Sequence, residues 1–215
     1  TGYARVLIYR FLPDGNGEVF AEDGDPRLPS YLGLRYPSSD IPPQARALYL
    51  RQRVRVLGDT EAPPAALVPS RNPRTGRPLD QSRSALRAMS PVHLQYLRNM
   101  RARATLVASI VLDGALFGLI ACHHDGPRLP SEGQRRFAES AASLLATQIG
   151  ALRDRAVTRA RQAADALGRQ VIRAVDGSQS WWLALLRHAP ATLALLRSDG
   201  MLLLDPVVET RGARE

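Results

Sequence analysis

The sequence predicts an α+β fold: a central, mainly antiparallel sheet flanked by helices. Three observations carry this. Two apolar, β-rich runs, Ala104 to Leu112 and Ala115 to His123, are joined by Asp113-Gly114, a dipeptide that marks a tight hairpin. Strand-like segments near the start are followed by a helical segment, more strands and a closing helix, an order that builds a mixed layer around one sheet. The closing helical pattern opens at Ser131, where Gln134 completes a capping box.

The elements follow in order. Gly2 to Phe11 reads as a strand ended by Pro13-Asp14-Gly15, and Gly17 to Ala21 as its hairpin partner. Tyr31 to Tyr36 leads into Pro37-Ser38-Ser39-Asp40-Ile41-Pro42, where two flanking prolines predict an extended, rigid backbone. Pro43 to Arg53 has helical spacing, with Ala45, Leu48 and Tyr49 on one side, and Val54 to Leu57 is a short strand. Glu61 to Arg83 holds five prolines and few apolar anchors, and a loop of that length in a domain is usually functional. Arg87 to Met100 reads as loop and short helix. The helix from Ser131 carries Phe137, Ala141, Leu144, Leu145, Ile149 and Leu152, and more weakly Ala163, Leu167 and Val171, with Gly150 and Gly168 as weak points. Continuous to Val175 it would run roughly 65 Å at 1.5 Å per residue, long enough to pair with another chain or bridge two domains. After Trp181 one helix-like segment and a strand, Met201 to Leu204, read as the start of a second, truncated domain.

Composition narrows the function classes. The net charge is +9, but every basic residue is Arg and none is Lys, and the arginines are spread without aromatic interleaving, which disfavours nucleic acid. The apolar runs, such as Gly114 to Cys122, are far shorter than a membrane span, and no signal peptide opens the chain. The chain is expected to be a fragment. The single cysteine, Cys122, lies in an apolar run and reads as a buried small hydrophobe rather than a reactive thiol, in keeping with a reducing, cytoplasmic setting. There is no Gly-rich phosphate loop, zinc-type spacing or nucleophile–base pair. His123 and His124, adjacent on a strand, point to opposite faces and do not suit one metal ion.

Three segments carry a resemblance. Pro37-Ser38-Ser39-Asp40-Ile41-Pro42 resembles the PASDIP signature of phytochromes, Leu86 to Met100 resembles their chromophore-pocket segment, and Leu116 to His124 resembles their last pocket strand. In this order over about 150 residues they are similar to the GAF domain of bacterial phytochromes, and the part after about Arg155 is more loosely similar to the start of the adjoining PHY domain. The implied organisation is a GAF bilin-binding domain over 1–155 with a knot-type loop at 61–83, a connecting helix over 156–178, and an incomplete GAF-like PHY domain over 179–215.

The resemblance implies a site for a linear tetrapyrrole, biliverdin. Such a pigment is a flat apolar body with pyrrole N–H groups and two propionates, and wants an apolar slot with a few placed polar groups. Arg55 and Arg87 match the propionate-binding positions, suited by the forked guanidinium. His93 matches the histidine beside the inner pyrroles, and His123 the one that bonds the outermost ring's carbonyl. Asp40 offers its backbone carbonyl to the pyrrole N–H groups, with Ile41 and Pro42 against the ring face. Tyr9, Tyr36 and Tyr96 match the aromatic box around the rotating ring. The family often has Phe at position 36, so a hydroxyl is added there. Ser90 falls within the pocket segment. Thr105 keeps a propionate-contacting hydroxyl, and Val107 loses another. Valine at position 92 removes the thioether cysteine of plant-type members, so the linking cysteine is expected upstream of this sequence.

The implied function is that of a non-enzymatic red/far-red photoreceptor fragment. It relays isomerisation of the pigment through a long helix, which also forms a homodimer, to a downstream output such as a histidine kinase. The alternatives are a GAF module for another small ligand, such as a cyclic nucleotide, and a degenerate dimerisation scaffold.

Overall fold

In the computed structural model, which describes residues 2–84, 87–176 and 181–198, six strands form one sheet. They are β1 (Arg5–Phe11), β2 (Gly17–Gly24), β3 (Arg35–Tyr36), β4 (Val54–Leu57), β5 (Ala104–Leu112) and β6 (Ala115–His124). Their order across the sheet is β3-β2-β1-β6-β5-β4, and every neighbouring pair is antiparallel. Asp113 and Gly114, both with positive φ (50° and 77°), turn β5 into β6 as the hairpin signal requires. The N-terminal strand closes the sheet by pairing with β6 from Arg5↔His123 to Arg10↔Gly118. That pairing needs glycine at 118, where a Cβ would stand 2.3 Å from the Tyr9 carbonyl oxygen.

Strand alternation divides the sheet into two unlike faces. Even-numbered residues, among them Val6, Val56, Leu106, Ala108 and Cys122, form an apolar core with α3 (Glu132–Asp176). The helix lies on them through Ala138, Ala142, Leu145, Ala146 and Ile149, a stripe at helical spacing. Odd-numbered residues on the other face include nearly all the buried polar groups of the sheet: Arg5, Arg55, Thr105, Ser109 and His123. This face is covered by α1 (Pro43–Arg51) and α2 (Pro91–Asn99). Ser109 Oγ donates to the Tyr49 carbonyl at 2.9 Å and ties α1 down.

The capping box at the start of α3 is formed: Gln134 N–H donates to Ser131 Oγ at 3.2 Å and Ser131 N–H to Gln134 Oε1 at 2.9 Å. The chain divides into two compact units, Thr1–Ile149 and Gly150–Glu215, and α3 runs without a break through Gly150 and Gly168. The second unit contains α4 (Trp181–Arg187) and α5 (Ala189–Leu196).

Two expectations are corrected, and one strand is additional to those the sequence predicts. The 37–42 segment is not extended: the Asp40 N–H donates to the Pro37 carbonyl at 3.1 Å, closing a turn. The two prolines fix their own φ and leave Ser38-Ser39 free to bend. The single helix expected after Trp181 is two, because Pro190 cannot continue a helix and instead sits in the first turn of α5. β3, at the sheet edge, was not anticipated, since two residues show no alternation. The expected strand Met201 to Leu204 lies outside the described residues, as do Ala85 and Leu86.

Candidate functional site

The odd face of the sheet floors a cleft with about 680 Å³ of atom-free space, part of it open to solvent. Its floor carries Leu7 and Tyr9 from β1, Thr105 and Val107 from β5, and Ala121 and His123 from β6. Its walls are Tyr49 of α1, His93, Tyr96 and Leu97 of α2 with Met100 beyond its end, and the turn residues Asp40 and Ile41. Tyr36 closes the side nearest β2. The surface is predominantly apolar and aromatic with a few convergent polar groups.

A cationic group stands behind the Tyr49 wall. Arg55, on edge strand β4, is 5% exposed, and its guanidinium lies 4.2 Å above the Tyr49 ring. Its Nε and Nη2 have no hydrogen-bond partner among the described residues. Burial lowers its pKa, and the neighbouring Arg87 lowers it further. His93 is likewise held below the usual histidine range, first by burial and then by the charges of Arg55 and Arg87. A desolvated guanidinium with unused donors beside a second cation is costly alone and matches an anion.

The cleft itself is phenolic. Tyr9 and Tyr36 lie 6.2 Å apart between ring centroids, and His93 stacks on Tyr96 at 6.3 Å. Burial pushes the Tyr9 hydroxyl up to about 12, and Tyr36 and Tyr96 are also raised chiefly by burial, with the Asp40 charge adding to all three. All three phenols are therefore neutral donors at ordinary pH. Tyr9 reaches this position because residue 17 is glycine: a Cβ there would fall 1.6 Å from the phenol oxygen.

The turn carrying Asp40 is pinned by Arg46 of α1. Arg46 Nε donates to the Ile41 carbonyl at 2.6 Å and Nη2 to the Gly15 carbonyl at 2.5 Å, while its guanidinium covers the Phe11 ring at 4.3 Å. Asn16 Oδ1 accepts from the Ser38 N–H at 3.0 Å. The turn is thus tied to both the helix and the β1–β2 hairpin.

On the floor sits His123, 9% exposed, with Nδ1 unpartnered among the described residues. Burial, then the charges of Arg5 and His93, push its pKa down to about 4, so the ring is neutral at pH 7. Cys122 points to the opposite face into the α3 core, where burial raises its thiol to about 11.

Of the twelve residues singled out from the sequence, Tyr9, Tyr36, Asp40, Ile41, His93, Tyr96, Thr105 and His123 line this one cleft. Arg55 stands behind Tyr49, and Arg87, half-buried, acts on the same groups. Pro42 and Ser90 do not line it. Pro42 is the N-cap position of α1, and exposed Ser90 caps α2, its Oγ accepting from the His93 N–H at 3.2 Å. Ser90 therefore orients His93 rather than facing the cleft. Val92 is 81% exposed on the outer side of α2. The sequence reading missed Tyr49, Met100, Arg46 and Gly17. The spacing sets Tyr49 with Ala45 and Leu48 on one side of its helix, and that periodicity is the one signal available.

A family profile described as GAF domain matches residues 1–149. A bacteriophytochrome of Xanthomonas campestris is 52% identical over 160 residues, covering 74% of this chain and 25% of that protein. Cyanobacterial phytochrome B of a Nostoc species is 37% identical over 200 residues, covering 93% of this chain and 27% of that protein. Among solved structures, a bacteriophytochrome from the photosynthetic bacterium R. palustris superposes with a TM-score of 0.86 at 40% identity, over 93% of this chain and 40% of that one. The chain thus spans about a quarter of the length of these curated relatives.

Proposed function

The chain belongs to the GAF domain family, with strong homology to bacteriophytochromes, and from that premise we propose that it is the pigment-binding part of a red/far-red photoreceptor holding biliverdin. The observation that carries this is the buried Arg55, stacked on Tyr49 of the aromatic cleft's wall, within reach of the Arg87 charge, and with Nε and Nη2 unpartnered among the described residues. Two forked cations suit the two propionates of a linear tetrapyrrole, and the apolar floor suits its flat body.

In this reading each group has a role. Arg55 and Arg87 bind the carboxylates, and Tyr49 orients Arg55 by stacking beneath it. His93, placed by the Ser90 cap, stands beside the inner rings. The Asp40 carbonyl, held in place by Arg46 through its turn, accepts pyrrole N–H groups. Neutral His123 presents a nitrogen to the outermost ring, and Tyr9, Tyr36 and Tyr96 box that ring. Bound pigment supplies light absorption and one isomerisable double bond. The phenols and His123 then offer the turned ring a second set of hydrogen bonds, a local two-state switch.

We further propose that α3 carries the change onward and pairs with its counterpart in a second chain. Any catalytic output, such as histidine kinase activity, would belong to a downstream domain, in the cytoplasm. Among the described residues no helix is long and apolar enough to cross a membrane. The test is an absorbance spectrum of the purified chain mixed with biliverdin, before and after red illumination. A strong red or far-red band that changes on illumination is expected, and its absence with any bilin rejects the proposal.

A further inference from the structure

A second cleft lies against the first, with about 670 Å³ of atom-free space shared with solvent. Its wall includes Arg5, Tyr31, Asn99, Arg101, His124 and Asp125. Two further residues, Met100 and His123, line both this outer cleft and the inner one. They form the partition: an imidazole that is nine-tenths buried with Nδ1 unpartnered, and a flexible thioether chain.

The outer walls are held in place. Arg5 is 4% exposed, paired with Glu22 at 3.1 Å, donating to the Pro29 carbonyl at 2.6 Å, and 4.0 Å from the Tyr31 ring centroid. Glu22 also accepts from the Tyr31 and Leu32 N–H groups at 2.7 and 2.9 Å. Tyr31 in turn donates its hydroxyl to the Met100 carbonyl at 3.3 Å. At the rim His124 Nδ1 lies 3.0 Å from the Gly126 N–H and 3.1 Å from the Gly126 carbonyl oxygen. Arg5 is engaged on three sides and cannot swing in to fill the space. A polar, pre-formed cleft walled by a residue that carries a buried polar atom without a protein partner is where ordered water is found.

Building on the pigment-binding reading, we propose that the outer cleft is a small-solute site: a port through which water, protons and neutral solutes of similar chemistry reach His123 without passing through the pigment chamber. In the bound state the pigment stops the chamber side, and the port becomes the remaining route. Asn99 and Leu28 line it and do not line the chamber.

Diethyl pyrocarbonate, which acylates neutral imidazole nitrogen with loss of ethanol and carbon dioxide, is the probe. Initial rates of modification at His123 are read by tandem mass spectrometry, which separates it from His124. With biliverdin bound, His123 should still react. The variants Asn99→Trp and Leu28→Trp, with unchanged absorbance band and thermal midpoint, should slow that reaction about tenfold, the ratio expected when local opening replaces an open path. Protection of His123 by pigment alone overturns the proposal. So do equal rates in both folded plug variants, or an absence of modification in every state. If no red band forms with biliverdin, the pigment reading fails separately. The plug comparison is then made on the unloaded chain with the chamber filled by Ala121→Trp, at a residue that lines the chamber and not the port: a slower reaction supports the port and equal rates remove it.

Discussion

At the scale of single residues, the cost of the site is visible in Arg55. A guanidinium with two idle donors in a closed interior destabilises the chain that carries it, and replacement of buried charge by an apolar side chain of similar length is often neutral or stabilising. Arg55→Met should therefore leave the unloaded protein as stable, or raise its urea midpoint by the equivalent of about 1 kcal/mol. The same change should weaken biliverdin uptake by about 10- to 100-fold, the loss of one charged hydrogen-bonding group worth about 1.5–3 kcal/mol. A drop in stability together with undiminished uptake would show that Arg55 serves the fold. His123 makes a second prediction. Its folded pKa of about 4 lies below the ordinary histidine value of 6.5, so the unfolded chain binds the extra proton first. Stability should be full above pH 6.5 and fall as the pH drops toward 4. At about 1.4 kcal/mol per pH unit the loss is on the order of 3 kcal/mol. Urea unfolding across this window should show that slope in the wild type and a shallower one in His123→Gln.

At the scale of elements, the parts that stand on periodicity could be read from the sequence and the parts that stand on tertiary contact could not. The Asp113-Gly114 hairpin, α1 and the Ser131 cap were visible because each is specified within a dozen residues. The 37–42 turn was misread because its shape is imposed from outside, by Arg46 and Asn16, and nothing in the local sequence of prolines announces them. Gly17 and Tyr9 show the same limit. Eight residues apart, they interlock across β1 and β2, and the missing Cβ has meaning only once the register is known. Recognition of the three motifs supplied the site residues themselves, but not the division of labour by which Ser90 caps and Arg46 clamps. Arg46→Met tests that clamp. It removes two charge-assisted hydrogen bonds, at 2.6 and 2.5 Å, and should lower stability by about 1–3 kcal/mol. It should also broaden or shift the pigment band, because the Asp40 carbonyl would no longer be held. Loss of stability with an unaltered band would restrict Arg46 to the fold.

At the scale of the whole molecule, α3 has two separable jobs. Its inward stripe, Ala138, Ala142, Leu145, Ala146 and Ile149, ends at the last residue of the first compact unit. Its outward apolar residues Phe137, Leu144 and Leu152 are each more than 60% exposed, and they are the surface on which the proposed pairing of two chains would rest. Leu144→Glu should leave unfolding within about 0.5 kcal/mol of wild type, as surface changes usually do, while shifting sedimentation toward the monomer. An unchanged dimer would move the pairing elsewhere. Cutting the chain after Arg155 separates the jobs more sharply. Every helix residue of the sheet core, and every residue of the pigment cleft, precedes the cut. The shortened chain should therefore unfold in one cooperative transition with nearly the same midpoint and take up biliverdin to the same band, because neither the core nor the cleft draws on what is removed. A shortened chain that is unfolded, or folded but colourless beside a coloured full chain, would mean that residues beyond 155 complete the domain. The partition of the molecule at Ile149 would then describe its contacts without describing its stability.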